Sequence, residues 1–219
     1  MSLTFVIVAN VLIVIALAAI AKFVKIGSAE TTAGGWNFNY STNDLVLIAV
    51  VAAISGVVNT GISQVWATLN AIGPLQGATL QGAFMWNYLL IYFLVRKPGA
   101  MFIVALLELG MESLLGNTAG LSSFGWGITQ GLAAEAVMAA VNYGVIGWWV
   151  FGLAGAAASQ FGTVWTYYLY GWQADQTTYW LATLIDIVSG FFLSGLLGFW
   201  LGKLIESTGL VRATRRASQ

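Results

Sequence analysis

Apolar residues fill long stretches of this chain, and polar positions gather at the ends of those stretches rather than alternating with them. A helix needs about 20 apolar residues, at 1.5 Å per residue, to cross the hydrocarbon core of a bilayer. The pattern therefore predicts spans near 4–24, 45–65, 77–95, 99–116, 127–142, 145–168 and 179–203. Two of these, 99–116 and 127–142, are short and polar enough to require shielding by neighbours. Many aromatic residues lie near predicted span ends, where amphipathic rings suit the headgroup region.

Composition narrows the class. Of 219 residues, 59% are hydrophobic and 7% charged, against about a quarter charged in a soluble domain. Eight basic and eight acidic residues cancel, so no basic footprint for nucleic acid exists. Cysteine and histidine are both absent, which removes disulfides, soft metal sites, thiol nucleophiles and imidazole acid–base chemistry. GlyPheTrpLeuGlyLys at 198–203 has the wrong spacing for a nucleotide loop. The expectation is an all-α integral membrane protein that is no enzyme, with no catalytic residue, no metal and no cofactor of its own.

Charge sets the orientation. Met1–Phe5 holds no basic residue, whereas Lys22 and Lys25 follow the first apolar core. A secretory signal has the opposite order, so 4–24 reads as a retained helix with its N-terminus outside. Seven spans put Lys22 and Lys25, Arg96 and Lys97, and Arg212, Arg215 and Arg216 on the cytoplasmic side. The outer connections are then Ser63–Gly77, Gly116–Trp126 and Tyr170–Thr178, with Trp66, Asn70, Pro74, Asn117, Trp172, Gln173 and Asp175 as mouth or lid candidates. The inner stretch Gly27–Thr42, with Trp36, Phe38 and Tyr40, reads as an interfacial linker.

Acids inside the apolar layer are the candidate chemistry. Glu108 and Glu112 are four residues apart and share a helix face. Glu135 lies in the next span and Asp186 in the last, with no Lys or Arg deep enough to pair simply with any of them. Buried acids in a membrane are costly and mark function by default. Counting along the helices puts Glu112 about 6 Å, and Glu108, Glu135 and Asp186 about 12 Å, from the outer ends. All four are expected below the outer loops, in a cavity whose negative potential favours a cation. Gln81, Trp86 and Asn87 on the third span, Gln130 on the fifth, and Gln160, Trp165 and Tyr167 on the sixth are the polar and aromatic groups expected to complete it. Interhelical packing is the alternative for each. Small residues form two pairs, Ala49–Ala53 and Ala52–Gly56, and a stripe of Gly190, Ser194, Gly198 and Gly202, surfaces for close helix packing or for docking another membrane subunit.

ArgLysProGlyAla at 96–100, GluSerLeuLeuGlyAsn at 112–117, GlyIleThrGlnGlyLeuAlaAlaGluAla at 127–136 and SerGlyPhePheLeuSerGlyLeuLeuGly at 189–198 together resemble YkoE-like S components of energy-coupling factor (ECF) transporters. The resemblance covers about 43–205 and implies a six-helix substrate-binding subunit for thiamine or its hydroxymethylpyrimidine precursor. It also implies a transmembrane coupling subunit and two cytoplasmic ATPases as partners, with ATP used by those partners. Glu112 and Glu135 fall on the family's acids, and Ala49 and Ala53 on the face S components turn to the coupling subunit. The expected division is 1–42 for an additional N-terminal transmembrane helix and linker, 43–205 for the six-helix domain, and 206–219 for a basic tail, all in a prokaryotic plasma membrane. A self-sufficient secondary transporter of a small cation and a structural or assembly membrane protein are the competing readings.

Overall fold

The computed structural model describes residues 2–24, 29–31, 35–117, 119–170 and 176–209. Lys25, Gly27, Trp172, Gln173, Asp175, Arg212, Arg215 and Arg216 lie outside the described residues. The helices are α1 Leu3–Phe23, α2 Thr42–Ile72, α3 Pro74–Gln81, α4 Trp86–Val95, α5 Ala100–Leu115, α6 Phe124–Ala140, α7 Trp148–Tyr170, α8 Gln176–Ser189 and α9 Leu197–Ser207. A tight 3₁₀ turn, Gly82–Phe84, joins α3 to α4, and a π turn, Gly190–Leu196, joins α8 to α9. Among the described residues these nine helices make seven spans, one for each predicted apolar run. Leu3–Phe23, Thr42–Ile72, Pro74–Val95 and Gln176–Ser207 are long and apolar enough to cross a membrane on their own. Of the other three, α5 and α6 are the two whose polarity was expected to require cover by neighbours, and α7 joins them.

Several boundaries differ from the expectation, and each difference has a local cause. Gln64, Thr68 and Asn70 end the apolar run of α2 but not its backbone helix, which continues to Ile72. The predicted outer connection 63–77 is therefore reduced to Gly73, after which Pro74 opens α3 at a position where its missing N–H costs nothing. Residues 145–147 are not helical. Val145 and Ile146 pair antiparallel with Thr31 and Glu30 of the linker, the one small sheet among the described residues. At the start of α2, Ser41 and Asp44 cap each other's backbone N–H groups.

The extra helix α1 packs against α6 and α7. Its buried stripe, Val6, Asn10, Val14, Leu17 and Ala21, follows the helical repeat. Asn10 is the polar member of that stripe and is fully buried. Its amide nitrogen donates to Val6 O at 2.7 Å and to the Tyr179 hydroxyl, and its oxygen accepts from Gln160 Nε2 and from Thr163 Oγ1 at 2.9 Å. In an apolar helix this one side chain ties α1 to both α7 and α8. Asn10→Leu leaves three interhelical contacts unmade, at about 0.6–2 kcal/mol each in a membrane. The expected result is a thermal midpoint lower by several degrees in a detergent melt. An unchanged midpoint would show that α1 is held by apolar packing alone.

The small-residue pairs of α2 separate by function. Gly56 sits against Met111 and the Glu108 carbonyl, and Ala52 is buried beside it, so that pair lets α2 approach α5. Ala49 is exposed and Ala53 half-buried, along the margin of the same face. The stripe on the last span faces inward throughout. Gly190 meets the backbone of Gly155, Gly198 meets Leu89 and the Trp86 carbonyl, and Gly202 meets the Phe93 ring. At Gly155 and Gly190 each missing side chain leaves room for the other helix's carbonyl, and any Cβ there would collide with backbone.

Candidate functional site

A cavity with about 50 Å³ of free space opens at the end of the bundle where α2 meets α3 and α5 meets α6. Helical spacing explains its walls. Ser63 and Trp66 come from α2, Gln81, Phe84 and Tyr88 from the α3–α4 span, Glu108, Leu109 and Glu112 from α5, and Trp126 and Gln130 from α6. Asn117 and Ala119, which follow α5, and Tyr170, which ends α7, complete the lining.

Glu108 and Glu112 lie one turn apart, and both are buried. Asn59 of α2 donates to Glu108 Oε1 and to the Phe84 carbonyl, each at 2.7 Å, and accepts from Trp86 Nε1 at 3.3 Å. Glu112 is held by Asn117, whose amide donates to Oε2. The GluSerLeuLeuGlyAsn segment explains how. Gly116 ends α5 in the left-handed region, φ 92°, which a side chain would resist. The chain then turns back, and Asn117 N reaches the Glu112 carbonyl at 2.9 Å. Glu112 Oε1 is left buried with no hydrogen-bond partner among the described residues. No Lys or Arg among the described residues lines the cavity. Its charge is wholly acidic.

Aromatic groups close the mouth. Tyr170 lies between Trp66 and Trp126, with ring centroids 6.5 and 6.2 Å away and planes tilted by 38° and 33°. Trp126 Nε1 donates to Thr166 Oγ1 at 2.9 Å, which fixes its ring. Tyr88 sits deeper, its hydroxyl 3.4 Å from Gln130 Oε1.

The structure brings Glu108, Glu112, Gln81 and Gln130 together in this cavity and places the other candidates elsewhere. Trp86 and Asn87 face away. Trp86 supports Asn59, and Asn87 donates to Ser55 Oγ at 2.9 Å. Trp165 donates to the Ser122 carbonyl and stacks on Tyr168, and Tyr167 packs beside Val6 and Tyr179 toward α1. Asp186 lines a separate, smaller cavity. Sequence reasoning missed Asn59, Tyr88, Phe84, Ser63 and Tyr170. For Asn59 a signal existed, a lone amide within an apolar run.

The expected outer position of Glu135 is corrected. It accepts from Met101 N at 3.0 Å, from Phe102 N at 3.4 Å and from the Tyr143 hydroxyl at 2.9 Å. The two amides are among the first N–H groups of α5, which no carbonyl within the helix can reach. A carboxylate there also meets the positive end of the helix dipole. The ArgLysProGlyAla and AlaAlaGluAla segments thus meet at the far end of α5, at least about 10 Å along the helix from Glu108. Arg96 pairs with Glu30 at 3.0 Å and lies 4.0 Å from Glu206, while Lys97 pairs with Asp44 at 2.6 Å. Basic residues therefore gather at the end opposite the acidic cavity, the arrangement that the charge pattern predicted.

Residues 43–161 match the family described as the permease component of an ABC-type cobalt transport system. The chain belongs to that family. It is 28% identical over 175 residues to a Bacillus subtilis (strain 168) protein named "Putative HMP/thiamine permease protein YkoE", covering 79% of this chain and 88% of that one. A solved structure, described as the crystal structure of an S-component of an ECF transporter, matches with a TM-score of 0.76 and 25% identity, over 82% of this chain and 98% of that chain. The chain is thus a multi-pass membrane protein of the S-component type, a substrate-binding transporter subunit rather than an enzyme. The family match begins at residue 43, one residue into α2, so α1 and the linker lie outside the matched segment. Membrane and ATPase partners follow in general from the S-component type.

Proposed function

We propose that the acidic cavity binds thiamine or its hydroxymethylpyrimidine precursor, and that the chain delivers it through a transmembrane coupling subunit driven by two cytoplasmic ATPases. The observation that carries this reading is Glu112 Oε1, a buried acceptor that among the described residues has no hydrogen-bond partner, in a cavity whose described lining holds two acids, several rings and no Lys or Arg. Thiamine's thiazolium is permanently positive, and its aminopyrimidine supplies hydrogen-bonding edges. Both halves find complements here. The name of the Bacillus subtilis relative points the same way. Cobalt is the poorer fit. The sequence has neither histidine nor cysteine, and among the described residues no three acids come together to hold a metal.

On this reading 43–205 is the substrate-binding domain in the plasma membrane of a prokaryote, 1–42 is an added helix with its linker, and 206–219 is a cytoplasmic tail. Ala49 and Ala53 form the coupling face. Calorimetry on the purified chain is the test. Thiamine or hydroxymethylpyrimidine is expected to bind without any partner present. Folded protein that binds neither, but does bind cobalt, would reject the vitamin assignment.

A further inference from the structure

Behind Trp66 and Gln81 lies a second cavity between α2, α3, α7 and α8, with about 10 Å³ of free space, room for one group the size of a water or an amine. Trp66 and Gln81 line both spaces and form the partition between them. Asp186 is the one acid of this chamber. It is 3% exposed, and its Oδ1 has no hydrogen-bond partner among the described residues. The hydroxyls beside it are already engaged. Thr163 donates to Asn10 Oδ1 and the Gln160 carbonyl, and Thr166 accepts from Trp126 and donates to the Gly162 carbonyl. Trp66 Nε1 is a buried donor that also lacks a partner. Buried polar atoms are nearly always paired, so an acceptor and a donor left open beside one small cavity call for an explanation.

We propose that this chamber is a specificity subsite for the amino-bearing edge of a heteroaromatic ring. Asp186 accepts from the exocyclic amine, and the Trp66 N–H donates to a ring nitrogen. An open donor beside the acid argues against a bare metal ion, which an N–H would repel. The inference rests on the vitamin reading of the main cavity and deepens it. Thiamine and its precursor share only the aminopyrimidine, so a site that accepts both must grip that ring. The thiazolium, present in thiamine alone, is then left to Glu108 and Glu112 on the other side of the partition.

The test compares wild type with Asp186→Asn by calorimetry on the full chain. The ligands are thiamine, hydroxymethylpyrimidine, the quaternary thiazolium half, and the oxo analogue of the pyrimidine, in which a carbonyl replaces the amine. Asp186→Asn is expected to weaken thiamine and hydroxymethylpyrimidine alike, by about 10- to 100-fold, with the thiazolium half unchanged. Because the new amide can donate, the variant is also expected to shift its preference from the amine toward the oxo ring. A merely structural carboxyl would produce no such shift. Unchanged affinity for both amine ligands, equal loss of all ligands including the thiazolium half, or weakening without the shift in preference would each overturn the subsite. Wild type that binds none of the ligands would remove the subsite together with the vitamin reading. Wild-type binding with an indifferent variant would remove the subsite alone.

Discussion

Glu112→Gln is expected to weaken thiamine binding by roughly 30-fold or more, while Glu206→Gln leaves it unchanged. Removing one member of a buried, hydrogen-bonded charge pair costs about 2–5 kcal/mol, and each 1.4 kcal/mol is tenfold in affinity. The glutamine keeps an oxygen for the Asn117 amide to donate to, so the turn at Gly116 has reason to survive and the change isolates charge from shape. Glu206 offers the matched control. It pairs with Lys203 at 3.1 Å and lies near Arg96, at the other end of the bundle. Titration of thiamine into each variant gives the comparison directly. Hydroxymethylpyrimidine adds a second axis, because a neutral ligand loses less than a cation when the carboxylate goes. Equal thiamine affinity in both variants would take Glu112 out of the site.

The second large effect concerns transport rather than binding. Ala53→Trp is expected to abolish ATP-driven accumulation by the assembled complex while leaving thiamine affinity of the isolated chain near wild type. Ala53 is half-buried, at the margin of the α2 face that packs on α5, so thiamine binding by the isolated variant is the control for overpacking. A Trp at the inward Gly56 would overpack the contact with α5 and confuse the two outcomes. Sealed liposomes with internal ATP provide the readout, comparing the chain alone, the wild-type complex and the variant complex. Accumulation by the chain alone under a proton gradient would reject partner-driven uptake and favour a secondary transporter. Full accumulation by the variant complex would move the docking face elsewhere.

Much of the architecture was legible because bilayer crossing is a demand on composition. Seven apolar runs became seven spans, even where a 3₁₀ or π turn interrupts the backbone. Those turns left no trace in hydropathy. Glu108 and Glu112 were legible as a pair because a four-residue spacing fixes a shared face whatever the neighbours do. Glu135 was not. Its depth was counted from Gly127, whereas α6 begins at Phe124 and ends at Ala140, and its partners are N–H groups of another helix. Along the α3–α4 span, Gln81, Phe84 and Tyr88 face the cavity. Trp86 and Asn87, chosen from the sequence, are one or two residues out of phase with them. A shift of one residue turns a helix by about 100°, and only packing decides which way a ring-rich helix is rotated.

The length of α2 has a mechanical meaning. Its 31 residues extend about 46 Å, well beyond the roughly 30 Å of hydrocarbon. Ala53, on the proposed partner face, and Trp66, on the wall shared by both cavities, belong to this one helix, about 20 Å apart along it. No proline, 3₁₀ turn or π turn lies between them. Handle and cavity wall are therefore parts of a single stiff rod. A partner that tilts the rod at one point must displace Trp66 at the other, so on this reading grip on the cargo and grip on the motor are mechanically inseparable.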